Sequence, residues 1–111
     1  MKQFLLLLCL SFFLIACHGP GFKEYETANK AYVQGQYKIA FANYLYAANL
    51  DIVPAEYAVG YLYYYGLGIK RNEAQGIIWL QKAAPKSVEA TYALSVIREH
   101  NSKEPWMINL K

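Results

Sequence analysis

Two thiols, two imidazoles and a few carboxylates and hydroxyls are all this 111-residue chain offers for chemistry near neutral pH. Cys9 and Cys17 both fall near the start. His18 follows the second thiol and His100 stands far away, beside the end of a helical stretch, where the helix dipole favours a cationic ring. A metal site needs several clustered ligands, and no H-x-x-H, C-x-x-C or E-x-x-H spacing occurs. Ser11, Ser87, Ser95 and Ser102 lack the neighbouring base that makes a hydroxyl a nucleophile. Glu24 and Glu26 suit the first turn of a helix better than an acid/base pair. Gly66-x-Gly68 follows no strand pattern, so it reads as a hairpin turn and not as a phosphate cradle. No catalytic residue, metal or cofactor is expected. The net charge of +3 is spread without a block of one sign, which gives no footprint for nucleic acid.

The reactive group with a chemical setting is Cys17. Lys2 precedes an apolar run over 4–16 that only Ser11 interrupts, and the run is shorter than the ~20 residues a membrane-spanning helix needs. A charged start, an apolar stretch and a small exit residue describe a secretory signal peptide. The alternative is an uncleaved N-terminal anchor with an incidental cysteine. Leu14-Ile15-Ala16-Cys17 resembles the bacterial lipobox. That resemblance implies cleavage before Cys17, a diacylglycerol on its thiol and an acyl chain on its new amino group. Several chains together anchor firmly, at ~0.8 kcal/mol per buried methylene. His18 in place of aspartate, by resemblance to enterobacterial lipoproteins, implies the outer membrane, periplasmic face. Gly19-Pro20-Gly21 then supplies a non-helical tether. No cysteine pair remains beyond residue 17, so no disulfide is expected although an oxidising compartment would permit one. About 95 residues then have to fold by packing alone, near the size at which a core is marginal.

The elements that follow repeat. Ala47-Ala48 falls over Ala83-Ala84 at a shift of 36, and Ala55, Val59 and Gly60 fall over Ala90, Leu94 and Ser95 at a shift of 35. Tyr32 and Gly35 also fall over Tyr63 and Gly66. The spacing predicts helices over 23–33, 37–49, 54–65, 72–84 and 88–99, broken at Gly35 and at Gly66-Leu67-Gly68. Pro54 suits a first helical turn, Asn72 and Ser87 suit N-caps, and Glu73 suits the positive helix end. In the fourth helix Gly76, Trp79, Leu80 and Ala83 make one stripe. Its small residues allow close approach, and Trp79 is expected to fill the space between hairpins.

The stretch 55–84, AEYAVGYLYYYGLGIKRNEAQGIIWLQKAA, resembles a Sel-1-like repeat, a subclass of the tetratricopeptide-type solenoids. The matching positions are Ala55, Val59-Gly60, Tyr63, Gly66-x-Gly68, Asn72, Gly76, Trp79-Leu80 and Lys82-Ala83-Ala84. Val59, Asn72, Gly76 and Leu80 stand where the family pattern has leucine, aspartate, alanine and tyrosine. The 23–50 unit, with its short turn, is closer to a plain tetratricopeptide hairpin, and the unit after Ser87 is half present. The resemblance implies an all-α fold: a short right-handed α-solenoid of antiparallel helix hairpins, about two and a half repeats. The division expected is 1–16 signal peptide, 17–22 lipidated cysteine and tether, 23–100 repeat domain and 101–111 tail.

Tyrosine is the unusual component, with 11 residues. Tyr57, Tyr61 and Tyr64 make a stripe apart from Val59, Leu62 and Tyr63, and first helices of such hairpins line the concave surface. The equivalent positions are Glu26, Lys30 and Val33 in the first unit and Tyr92, Val96 and Glu99 in the third. Two readings stand side by side: a partner-binding groove of Tyr57, Tyr61, Tyr64, Tyr92, Lys30 and Glu26, or rings that pack between hairpins. The helix over 88–99 has no following partner, and the tail with Pro105-Trp106-Met107-Ile108 is expected to fold back over it. The function expected is a lipid-anchored periplasmic interaction module that holds a protein partner in the cell envelope. A cell-wall or β-lactam-processing enzyme and a purely structural lipoprotein are the alternatives. The cysteine pairs of the family's β-lactam-linked members do not occur here.

Overall fold

The computed structural model describes residues 19–99. The lipobox, Cys17, His18, His100 and the 101–111 tail lie outside the described residues. Among the described residues the regular structure is helical: α1 (Phe22–Val33), α2 (Tyr37–Asn49), α3 (Val53–Tyr65), α4 (Glu73–Ala83) and α5 (Val88–Arg98), with one 3-10 turn at Ala84–Lys86. Helix α1 pairs with α2 and α3 with α4. Helix α2 then packs on α3, and α5 on α4. Among the described residues this is the short helical solenoid the repeats imply, two hairpins followed by α5.

One device makes all three reversals from α1 to α4, the first glycine of the G-x-G turn included. Gly35, Asp51 and Gly66 each take a left-handed conformation, with φ of 75°, 61° and 70°. In each case the next N–H reaches back to an orphan carbonyl near the helix end. Gln36 N–H donates to Ala31 O at 2.9 Å, Ile52 N–H to Ala47 O at 3.2 Å and Leu67 N–H to Leu62 O at 2.9 Å. The sequence match of Tyr32–Gly35 with Tyr63–Gly66 is therefore the same turn built twice. The starts are capped as their residue types predict. Asn72 Oδ1 accepts from Gln75 N–H at 3.1 Å and Ser87 Oγ accepts from Ala90 N–H at 3.1 Å. Pro54 occupies the first turn of α3.

Packing is dominated by alanine and glycine seams with a few large plugs. Tyr44, Leu62, Leu80 and Val59 are the largest fully buried side chains. Tyr44 crosses from α2 to α1, where its hydroxyl donates to Asn29 Oδ1 at 2.6 Å. Helices α3 and α4 close on each other at two glycines. A Cβ on Gly76 would lie 2.8 Å from Gly60 O, and one on Gly60 would lie 2.9 Å from Leu80 Cγ. Gly76, Leu80 and Ala83 are buried as one stripe. Trp79 is half-buried and packs against the core, with Lys82 Nζ 5.1 Å from its ring centroid, and Leu80 is the fully buried side chain at the α3–α4 crossing.

Candidate functional site

Helices α1, α3 and α5 are the first helices of their units, and the tyrosine stripe lies on the middle one. The fold divides that stripe. Tyr57 and Tyr61 are only 4% and 7% exposed, and Tyr64 is half-buried. Tyr61 meets Tyr32 of α1 edge-on at 6.4 Å and lies 4.9 Å from Tyr65, which in turn stands 5.2 Å from Tyr64. Tyr32 also meets Tyr37 of α2 at 5.5 Å. Rings at these separations and tilts attract beyond their buried area. Burial raises the Tyr32, Tyr57 and Tyr61 hydroxyls above their ordinary range. By contrast Glu26, Lys30 and Tyr92 are exposed. The six groove candidates therefore do not form one continuous exposed surface: α3 is flanked on both sides, whereas α1 and α5 are the outer helices among the described residues.

What the three first helices do form together is a cleft of about 210 Å³. Tyr25 comes from α1, Val53, Pro54 and Tyr57 from α3, and Lys86, Ser87 and Glu89 from the start of α5 and the turn before it. Tyr25 is fixed from behind by Tyr44, with ring centroids 5.9 Å apart. The walls are aromatic and aliphatic, and an ammonium and a carboxylate stand among them. Of this set, sequence reasoning singled out Tyr57 for a surface. Tyr25 and the Lys86–Glu89 corner were missed, because the cleft joins residues distant in sequence. The one usable signal was the Ser87 cap, which fixes where α5 begins.

A buried carboxylate lies near the same end of the stack. Glu56, in the first turn of α3, is 3% exposed, with Oε1 3.9 Å from Lys82 Nζ. Lys82 also lies 3.5 Å from Asp51 Oδ1. Burial raises the Glu56 carboxyl above its ordinary value. Lys82 opposes this, Asp51 adds to it and Lys86 opposes it. The folded state therefore holds this proton more tightly than the unfolded chain does. The contribution to stability is full below the ordinary carboxylate pKa and is lost as pH rises through the raised value. Glu56→Gln imitates the protonated form. At neutral pH the variant should be at least as stable as the parent, with its advantage disappearing below pH ~4. Urea midpoints of both proteins at neutral and acid pH measure this; a variant less stable at neutral pH would show that the Lys82 pairing outweighs burial.

Among the described residues no group of three or more His, Cys, Asp or Glu could hold a metal ion, and no helix is long and apolar enough to cross a membrane. Residues 53–84, α3 through the beginning of the 3-10 turn, match the family model of the Sel1 repeat. Over 63 residues the chain is 41% identical to Chitin synthase regulatory factor 3 of Schizosaccharomyces pombe (strain 972 / ATCC 24843). That alignment covers 52% of this chain and 7% of the relative, so the chain spans a small fraction of that protein's length. No solved structure matches the chain.

Proposed function

We propose, from the Sel1 repeat at residues 53–84, that this protein is an adaptor that holds a protein partner against its first-helix face. Sel1 repeat proteins generally mediate protein–protein interaction. The relative is by its name a regulatory factor of chitin synthase, which fits a non-enzymatic role for the shared segment. The observation that carries the reading is the cleft on which α1, α3 and α5 converge. Tyr25 and Tyr57 give it rigid apolar walls, and Lys86 and Glu89 give polar edges, the mix that suits a partner's side chain. In this reading Cys17 carries the lipid that tethers the adaptor to the bacterial envelope, with the outer membrane as its destination. The sequence Leu14-Ile15-Ala16-Cys17 supports the tether.

A photo-crosslinking residue at exposed Pro54 or Lys86, compared with one at exposed Ile78 of α4, tests the face. Adducts with one envelope protein are expected from the first two positions and not from Ile78. Equal adducts from all three, or none from the cleft, would refute the assignment. Metabolic labelling with a fatty-acid analogue tests the tether separately: label is expected on the parent and lost in Cys17→Ala. An unlabelled parent would remove the lipid and leave the cleft assignment standing.

A further inference from the structure

Helix α2 turns an apolar side to water. Its core side packs against α1 and α3 through Phe41 and Tyr44. On the opposite side Ile39 is 49% exposed, Tyr46 55% and the cap residue Leu50 41%, with exposed Ala42 among them. Ile39, Ala42, Tyr46 and Leu50 follow at steps of three and four, so they make one stripe ~17 Å long. No charged residue occurs from Ile39 to Leu50. Helices α1 and α4, by contrast, carry charge on their exposed sides, at Glu26 and Lys30 and at Glu73 and Lys82. The charges nearest the stripe in sequence are Lys38 before it and Asp51 after it, both exposed. Asp51 stands 3.5 Å from Lys82, yet its side chain is 83% exposed and open to a second cation. None of the stripe residues lines the cleft.

We propose that two copies of the chain associate through this face, α2 against α2 in antiparallel order about a two-fold axis at mid-helix. The stripe is complementary to itself in that order. Ile39 comes opposite Leu50 of the second copy, and Tyr46 comes over its Ala42 and Asn43. Ala42 is small, and the Asn43 amide is folded onto its own helix, where Nδ2 donates to Ile39 O at 2.9 Å. Both leave room for a phenol ring. Lys38 comes opposite Asp51 of the second copy, so each end of the pair joins an ammonium to a carboxylate. Every contact occurs twice, as an isologous interface requires. Parallel order would set Lys38 against Lys38 and Asp51 against Asp51. A lipid surface suits the face less well, because it favours a stripe rimmed by basic residues and Asp51 would meet anionic headgroups. Exposed ion pairs at the rim fix the register more than they add affinity. One helix against one helix also falls short of the ~800 Å² per partner of a stable interface, so the pair should form reversibly.

The test co-expresses two differently tagged copies of the full-length chain in the same cells, with a photo-crosslinking residue at position 39, 46 or 50. Adducts that carry both tags are expected from all three positions. Mass spectrometry should map the link from 39 to the neighbourhood of Leu50, that from 50 to the neighbourhood of Ile39, and that from 46 to Ala42 and Asn43. Ala42→Arg sets like charges beside the axis and should reduce the two-tag adducts at least several-fold. Position 42 is exposed, so helix content by circular dichroism should not change. Links that join each position to itself overturn the antiparallel pairing. Two-tag adducts undiminished by Ala42→Arg, in a variant of unchanged helix content, overturn the assignment of this face. Adducts with a different protein or with lipid alone overturn the proposal by giving the stripe to that occupant. The absence of any adduct overturns it as well.

Discussion

Replacing Gly68 with alanine is expected to lower stability by about 2–5 kcal/mol, a large share of what a domain of this size has. Two costs combine. Gly68 has φ of 74°, where a Cβ crowds its own backbone. More important, the added Cβ would run into the carbonyl of Tyr37 and lie 2.8 Å from Lys38 N, at the start of α2. Those atoms are backbone and cannot rotate away. The turn between α3 and α4 thus rests directly on the preceding hairpin, and relieving the clash means separating the two units. Gly35→Ala is the control. Its φ is 75°, yet nothing lies within 4 Å of the site, so only the conformational cost of about 1–2 kcal/mol applies. Thermal or urea melts followed by circular dichroism compare them; equal losses would mean that the hairpins do not meet at Gly68.

The second large effect is at the α3–α4 crossing. Leu80→Ala should cost about 2–5 kcal/mol, since Leu80 is fully buried and its removal leaves a cavity. Gly60→Ala should also destabilise, because the new Cβ would lie 2.9 Å from Leu80 Cγ and 3.0 Å from Gly76 O. The two changes concern one volume. The double variant is therefore expected to be less damaged than the sum of the singles by about 0.5–3 kcal/mol, as the alanine methyl occupies space that Leu80 vacates. Strict additivity would show that this contact does not set how closely the hairpin shuts.

Much of this fold can be read locally. Gly35 and Gly66 mark helix ends because the left-handed turn favours glycine, and Asn72 and Ser87 mark helix starts because their side chains satisfy orphan N–H groups. The recurrence of alanine and glycine at helical spacing placed the seams, and residues 53–84 match the Sel1 repeat where the resemblance put it. Asp51 gave no such warning. It makes the same turn as the glycines, but aspartate is common in many other settings.

The site was less legible. Glu56 reads as an ordinary acidic residue in a first turn, and only the arrival of Lys82 from α4 and the packing of α3 bury it. Tyr57, Tyr61 and Tyr92 occupy equivalent stripes by sequence, yet two are buried and one is exposed. Periodicity states which residues share a face of a helix. It does not state what stands opposite that face. By itself the sequence determined the helices, their ends and their pairing into hairpins, because those depend on residues within a few turns of one another. The tertiary structure alone decided which tyrosines became core and where the cleft opened, because both follow from where each helix falls in the stack.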